Sequence, residues 1–297
     1  MFEPIIRFYE NNKKAIIRTI LICATVILVV QLLNLWAKNA NDRSNSSMKV
    51  QTYVETESII NNKKVNTAIA TENKSIIKKF VDYCNNGDIE QAYNLISDDC
   101  KNVNFKTIEE FRSNYFDIVF KKSKTYTLDM WYTLGTSVTY KVDFKDNLLQ
   151  TGGANVENYT DYITVVRGEN NNIHLNILGF ISIKEENKLY EDDKIKVEIK
   201  SKVENVQDVT YTIVCENKTD EIINLYDKKN EVNCYLLDEV ENKYYADISG
   251  ILQINENEEK TMQLQFNKTY NPDKTTRSIN FTNVRISGDL YTIKIDF

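Results

Sequence analysis

The order of apolar and polar positions divides the chain into four stretches. An unbroken apolar run comes first, from Thr19 to Ala37. A polar stretch follows, then a block in which apolar residues recur every three to four positions, and finally a long part in which they alternate with polar ones. The first period is typical of amphipathic helices and the second of half-buried strands. The pattern therefore predicts an anchor, a tether, a small helical block and many strands.

The apolar run, TILICATVILVVQLLNLWA, contains no charged residue. A helix of about 20 apolar residues spans the hydrocarbon core of a bilayer and satisfies its own backbone hydrogen bonds there. No small-x-small cleavage site follows the run, which makes a cleaved signal peptide the weaker alternative. We predict that residues 19–37 form one N-terminal transmembrane helix, an uncleaved signal anchor, in preference to a buried soluble helix.

Charges beside the run predict its orientation. Four basic residues precede it, Arg7, Lys13, Lys14 and Arg18. The positive-inside rule then favours a cytoplasmic tail over residues 1–18. Residues 38–70 are polar and begin rich in Asn and Ser, which is typical of a flexible tether. The sequence predicts a single-pass protein of the cell membrane whose C-terminal domains are extracellular.

The helical block has recognisable ends. The first helix is predicted from an apolar stripe made of Ile76, Ile77, Phe80, Val81 and Cys84. Gly87 suits the left-handed residue that ends such a helix, and Asp88 is placed to cap the next one. Thr107 followed by Glu110 fits a capping box, which predicts a third helix. The apolar side of that helix is predicted to hold Phe111, Tyr115, Ile118 and Val119.

Strand periodicity begins at Lys124. Four strand candidates rich in β-branched and aromatic residues cover 124–133, 136–146, 159–167 and 172–183. The preceding stretch FVDYCNNGDIEQAYNLISDDCKNVNFKTIEEFRSNYF, residues 80–116, resembles the nuclear transport factor 2-like fold of extracytoplasmic bacterial proteins. The resemblance implies that residues 71–186 form an α+β cone, in which three helices pack on a curved antiparallel sheet.

The last third of the chain, residues 190–297, contains no helical period. Nine short alternating runs cover 194–203, 208–217, 221–227, 233–239, 243–249, 250–256, 260–266, 278–287 and 289–297. Turn signals separate these runs, and such spacing is typical of an all-β sandwich. The segment resembles the immunoglobulin-like domains of bacterial surfaces. It lacks the Cys…Trp…Cys pattern of antibody domains, which leaves adhesion and scaffold roles open.

Charge and composition narrow the function classes. The chain has a net charge of −6 and one histidine in 297 residues. Its last third is the most acidic part, which disfavours nucleic-acid binding. A single histidine leaves little material for multi-histidine metal sites or histidine relays. Phosphate-loop, nucleophile-elbow, zinc-protease and dinucleotide motifs are absent from the sequence, so we predict neither a cofactor nor a metal.

The cysteines give no metal signature either, because the sequence contains no CxxC pair. Cys23 lies within the predicted span as an apolar residue. Helix geometry disfavours a disulfide between Cys84 and Cys100. For Cys215 and Cys234, on neighbouring strand candidates, buried free thiols are favoured over a disulfide.

The cone resemblance implies one kind of candidate site. Some proteins of that fold bind small molecules on the concave sheet face, and a few isomerise steroids with an Asp base and a Tyr donor. The residues available here by type are Asp129, Tyr132, Tyr140, Asp161 and Tyr162. No spacing selects among them, so they are candidates for a cone pocket and not for a catalytic set. His174 lies between apolar neighbours and is interpreted as a strand residue.

These observations predict a membrane-anchored extracytoplasmic scaffold or protein-binding module of a bacterial envelope, without catalysis. Its expected partners are the lipid bilayer, through residues 19–37, and other proteins. Two alternatives stay open. One is a subunit of a conjugation or type IV secretion-like machine, whose single-span proteins resemble this cone. The other is a small-molecule sensor that uses the cone pocket.

Overall fold

The computed structural model describes residues 57–147, 157–168, 172–271 and 273–297. The predicted cytoplasmic tail, the predicted span 19–37 and most of the predicted tether lie outside these residues. None of the described helices combines the length and the apolar character that crossing a membrane requires. The described part is a mixed α+β structure, mostly strand, with antiparallel sheets.

The α-helices of the described residues lie between Thr67 and Val119, and one turn of 3-10 helix lies at Lys228–Asn230. The α-helices are α1 (Thr67–Asn86), α2 (Ile89–Asn94), α3 (Asp98–Asn104), α4 (Ile108–Phe111) and α5 (Asp117–Val119), with a π-helical turn at Arg112–Phe116. Gly87 ends α1 with a φ of +79°, as predicted, because glycine enters the left-handed region without a steric penalty. Asp88 precedes α2, but its side chain makes no capping hydrogen bond, so that detail of the prediction was wrong.

The π-helical turn explains a second difference from the sequence prediction. Phe111, Tyr115 and Val119 are buried, whereas Ile118 is 61% exposed. In a regular helix, positions seven apart share a face, and Ile118 would lie below Phe111. A π turn inserts one extra residue, which moves the inward position from 118 to 119. The prediction of Ile118 on the apolar side was therefore wrong.

The first sheet follows the helices. Its strands are β1 (Lys124–Leu134), β2 (Ser137–Asp146), β3 (Asn158–Arg167) and β4 (Ile173–Asn176), antiparallel in this order. The register of β1 shifts between Met130 and Tyr132. Met130 pairs with Tyr140 and Tyr132 with Thr139, so the bulge turns Tyr132 to the opposite face of the sheet from Met130.

The predicted strand 172–183 is broken in the structure. Leu178 and Gly179 have φ values of +57° and +69°, and they end β4 in a tight turn. The next strand, β5 (Phe180–Glu191), pairs with β6 and belongs to a different sheet. The single-strand prediction was therefore wrong, and β5 continues through residues 186–190, where the sequence suggested a domain boundary, with a bulge between Glu185 and Lys188.

The remaining strands form the all-β region. They are β6 (Ile195–Asn205), β7 (Val209–Asn217), β8 (Ile223–Tyr226), β9 (Asn233–Asp238), β10 (Lys243–Tyr245), β11 (Leu252–Ile254), β12 (Glu259–Phe266), β13 (Thr276–Ile286) and β14 (Asp289–Asp296). Each of the nine predicted runs overlaps one of them. The sheets have the orders β12-β7-β6-β5, β10-β9-β13-β14 and β11-β8.

Two hydrophobic cores result from this arrangement. The first lies between the helices and β1–β4 and is rich in aromatic rings. The second is enclosed by the strands from β6 onward and is mostly aliphatic. We refer below to the helix-containing region, residues 57–180, and to the all-β region, residues 181–297.

Candidate functional site

The five residues predicted by type lie on two faces of the first sheet. Tyr140 and Asp161 face the helices, because Tyr140 pairs with Ile163 and Asp161 lies two positions away on the same strand. Asp129 and Tyr162 both pair with Lys141 and lie on the opposite face. Tyr132 joins that opposite face because of the bulge in β1. Tyr140 and Asp161 therefore share the helix-facing side of the sheet, whereas Asp129, Tyr132 and Tyr162 share the opposite side.

The space in front of Tyr140 and Asp161 is occupied by aromatic side chains. We call them the aromatic cluster: Phe80, Phe105, Phe111, Tyr115, Phe120, Phe144 and Tyr159. Neighbouring rings in it have centroids 5.4 to 6.5 Å apart, most of them tilted or edge-on. This is the spacing at which aromatic rings attract one another. The face that the sequence suggested as a pocket is thus packed core.

Asp161 is a carboxylate buried within that core, with 3% of its surface exposed. Its Oδ2 accepts a hydrogen bond of 2.8 Å from the hydroxyl of Tyr115, and its Oδ1 accepts one of 2.7 Å from the backbone N–H of Tyr162. The backbone N–H groups of Leu178 and Gly179 lie close enough to favour its charged form. Burial raises the pKa of Asp161 to about 6, and these hydrogen bonds limit the rise.

A small cavity of about 230 Å³ lies beside Asp161. It is lined by residues 159–162, 178–179 and 205–208, so it sits where the first sheet meets the turn between β6 and β7. Backbone hydrogen bonds run through this junction. The N–H of Gly179 donates to the carbonyl of Tyr162 at 3.0 Å, and the N–H of Val206 donates to the carbonyl of Gly179 at 2.8 Å. These bonds connect β3, the Leu178–Gly179 turn and the turn between β6 and β7 beside the buried carboxylate.

Tyr140 belongs to a separate polar network. Asn73 in α1 donates from Nδ2 to the Tyr140 hydroxyl at 3.3 Å. Arg167 at the end of β3 donates to Oδ1 of Asn73 at 2.9 Å and forms an ion pair with Glu72 at 3.0 Å. These contacts tie α1 to two strands. Burial raises the pKa of Tyr140, so this hydroxyl stays protonated at neutral pH.

The opposite face of the sheet carries a second group of rings. The ring centroids of Trp131 and Tyr162 lie 5.2 Å apart, and those of Tyr132 and Tyr270, the latter in the all-β region, lie 4.9 Å apart. Neither the Tyr132 hydroxyl nor the Trp131 Nε1 has a hydrogen-bond partner in the described part of the chain. Burial raises the pKa of Tyr132. Asp129, the fifth candidate, is partly exposed and lies apart from Asp161.

The cysteines and the histidine add no reactive group to either face. Cys84, Cys100, Cys215 and Cys234 are buried and free, as the sequence favoured. Burial raises the pKa of Cys100 to about 11 and that of Cys215 to about 12, which keeps both as unreactive thiols. His174 lies partly buried in β4. Within the described ranges, no group of three His, Cys, Asp or Glu side chains could hold a metal ion.

Sequence reasoning missed the partners of both inward-facing candidates. Tyr115 was expected only as an apolar helix residue, and Asn73 was not singled out. One signal was available for Tyr115: Asp161 occupies the same inward-facing series as Tyr159 and Ile163 in an alternating strand. A carboxylate at an inward position needs a donor from the element packed above it. No comparable signal exists for Asn73, which reads as an ordinary polar helix residue.

Comparison with known proteins gives no relative: no family model, no curated protein and no solved structure matches this chain. Its function is therefore inferred from the chemistry of its own residues. On the helix-facing side of the first sheet, Asp161 can hold a proton, because burial raises its pKa to about 6. The solvent-exposed surfaces of the described residues lie outside this packed core.

Proposed function

We propose that this chain is a membrane-anchored, extracytoplasmic scaffold of a bacterial envelope, which binds other proteins and performs no catalysis. In this proposal residues 19–37 cross the membrane. Residues 71–186 form a nuclear transport factor 2-like cone, and residues 190–297 form an immunoglobulin-like sandwich. Helices packed on one antiparallel sheet, followed by strands that enclose an aliphatic core, support this interpretation of the fold.

One observation carries the proposal: the aromatic cluster fills the concave space between the helices and the first sheet. Small-molecule sites are concave and need room for a ligand. Phe111 and Tyr115 stack at 5.8 Å within that space, and Phe80 packs against both. The remaining cavity beside Asp161, about 230 Å³, is smaller than the usual small-molecule site, so the surface is the part of this region best suited to recognise a partner.

Asp161 supports the same conclusion. A general base must reach the proton that it removes, within hydrogen-bond distance of a bound substrate. The two oxygens of Asp161 instead accept hydrogen bonds from Tyr115 and Tyr162. We interpret Asp161 as a structural residue at the junction of the two regions and not as a catalytic base.

The experiment that tests the scaffold is cross-linking of the tagged full-length chain in native membranes, followed by purification in detergent and mass spectrometry. We expect one or a few envelope proteins in a fixed ratio to the chain. Recovery of pore or coupling proteins would favour the subunit of a conjugation or type IV secretion-like machine. Recovery of the chain without any cross-linked protein, together with a small molecule that raises its melting temperature, would favour the sensor instead.

The anchor is tested separately by placing one charge inside the predicted span. An arginine at the centre of a membrane helix opposes insertion by about 3 kcal/mol. We expect Val29→Arg to release much of the chain from carbonate-washed membranes, whereas the matched control Ala40→Arg in the tether stays bound. Equal behaviour of the two variants would contradict the anchor and leave the cross-linking result unaffected.

A further inference from the structure

The all-β region contains an open apolar groove. It lies between residues 226–229, at the end of β8, and residues 248–251, before β11, and has a volume of about 740 Å³. Tyr226, Ile248 and Ile251 provide its apolar walls, and 53% of the surface of Ile251 is exposed. We call it the Tyr226–Ile251 groove. Its volume falls within the roughly 300–1,000 Å³ of small-molecule sites.

Two lysines are among the residues that line this groove. Lys228 and Lys229 are both exposed, and neither forms an ion pair with another described residue. The acidic neighbour, Asp227, is directed into its own turn. Its carboxylate accepts hydrogen bonds from the backbone N–H of Lys229 at 2.9 Å and from Nδ2 of Asn230 at 2.6 Å. The two ammonium groups therefore remain available to an anion.

The charge of the groove differs from that of two other cavities in the described residues. The cavity beside Asp161 is lined by two carboxylates, Asp161 and Asp208, and by no basic residue. The cavity at the start of α2 has three acidic residues against one arginine. The Tyr226–Ile251 groove has two lysines against one aspartate, although residues 190–297 hold more acidic than basic side chains. The combination of apolar walls and two unpaired lysines is thus specific to this groove, within an otherwise acidic part of the chain.

We propose that the Tyr226–Ile251 groove binds a small anionic amphiphile, an apolar chain that ends in a carboxylate, as in a fatty acid. The chain would lie against Tyr226, Ile248 and Ile251, where its transfer from water is favourable. The carboxylate would receive charge-assisted hydrogen bonds from Lys228 and Lys229. The proposal concerns the all-β region alone, so it does not depend on whether residues 19–37 span a membrane.

Photo-cross-linking of the full-length chain tests the site directly. The chain, purified and freed of detergent, is exposed to dodecanoate that carries a diazirine near its methyl end. We expect the label in peptides that contain residues 226–229 or 248–251. Unlabelled dodecanoate should compete for the label, whereas dodecanol at the same free concentration should compete about tenfold less well, because it lacks the charge. Shorter acids should weaken about fourfold for each methylene removed.

Variants separate the two parts of the site. Lys228→Gln with Lys229→Gln should reduce labelling by roughly tenfold, since each lysine beside an anionic head contributes a severalfold effect. The matched control, Lys184→Gln with Lys274→Gln, removes the same charge from two other exposed positions and should label like the unaltered chain. Ile251→Asp should abolish labelling by placing a like charge in the groove. Ile251→Ser serves the same purpose should the aspartate variant fail to fold.

Three outcomes would overturn the proposal. The first is a label spread over the surface with no preference for the two groove segments. The second is equal competition by dodecanol and dodecanoate, which would remove the role of the lysines. The third is equal loss of labelling in the control pair and in the groove pair, which would assign the effect to net charge alone.

Discussion

Asp161 and Asp238 are both buried aspartates, yet the helix-containing region and the all-β region surround them differently. Asp161 lies in the middle of β3, and its side-chain donor, Tyr115, comes from a distant helical turn. Asp238 ends β9 and accepts two hydrogen bonds from Asn242 in the following turn and one from Tyr244 in β10. Burial acts to raise the pKa of both. At Asp238 the local hydrogen bonds outweigh burial and lower its pKa, whereas at Asp161 burial prevails.

The two cores also differ, in the share of aromatic side chains that fill them. Nine of the 24 buried residues of the first core are aromatic, against three of 22 in the second. The first core therefore depends on a few large side chains, and it encloses polar groups that need distant partners. The second depends on many small aliphatic contacts and keeps its buried aspartates at turns. The first core therefore has more positions at which a single substitution should weaken the fold.

The largest effect is expected at Phe80. Its ring lies 6.2 to 6.4 Å from those of Tyr115, Phe111 and Phe120, and it is fully buried. Phe80→Ala should lower the free energy of unfolding by about 3–5 kcal/mol, because it leaves a cavity that the surrounding rings cannot fill. Hydrogen exchange should accelerate in α1 and β1–β4 more than in β6–β14.

The matched control for Phe80 is Phe281→Ala in the second core, which should produce the reverse pattern of exchange. Equal acceleration across all strands in both variants would show that the two cores unfold as one unit. The comparison between the regions would then describe composition and not separate stability.

The next effect concerns pH. In the folded chain Asp161 keeps its proton to about pH 6, whereas its usual pKa is 3.8. Protonated Asp161 therefore contributes about 3 kcal/mol to the free energy of unfolding. This contribution is fully present below pH 3.8 and is lost as the pH rises through 6. Asp161→Asn removes this titration. The difference in unfolding free energy between the variant and the unaltered chain, from urea titrations at pH 4 and pH 7, should shift by most of that amount in favour of the variant.

Asp238→Asn should show the opposite trend at a smaller size. The lowered pKa of Asp238 means that its contribution is present above its usual pKa and is lost as the pH falls through the folded value. At pH 7 the variant should be less stable by about 1–2 kcal/mol, because a charged acceptor is replaced. The deficit should shrink towards pH 3 in the same urea titrations. Parallel trends for the two aspartate variants would contradict the contrast drawn between the regions.

The smallest effect is expected at Ile118. Because the π turn exposes this residue, Ile118→Ser should change the unfolding free energy by no more than about 0.5 kcal/mol. Its neighbour Val119 is buried, so Val119→Ser should be clearly more destabilising. Thermal melts of the two variants test which of the two residues faces the core. A larger loss of stability in Ile118→Ser than in Val119→Ser would favour the regular helix that the sequence suggested.

The sequence predicted the parts of the fold that depend on local pattern. The end of α1 at Gly87 and the nine strand runs of the all-β region follow from residue conformation and alternation alone. The extra residue in the π turn and the break at Leu178 were not predictable in this way. Leu178 is a non-glycine residue in the left-handed region, and nothing in NILGF distinguishes it from a strand residue.

The candidate site shows the same limit. Residue type alone proposed Asp161 and Tyr140, but the bulge at Trp131 decided on which face Tyr132 would lie. The partners Tyr115 and Asn73 come from helices about 50 to 70 residues away along the chain. Such pairings depend on how helices cross a sheet, and no local pattern records that crossing.

Strand β5 has a mechanical consequence. Its first residue, Phe180, is packed in one core, and its last, Glu191, is paired with Lys196 along a sheet that encloses the other. Bending the molecule between them would break ladder hydrogen bonds instead of flexing a loop. A force applied to the carboxyl-terminal strands would therefore be transmitted through β5 to the helix-containing region. The two regions would then rotate as one rigid unit.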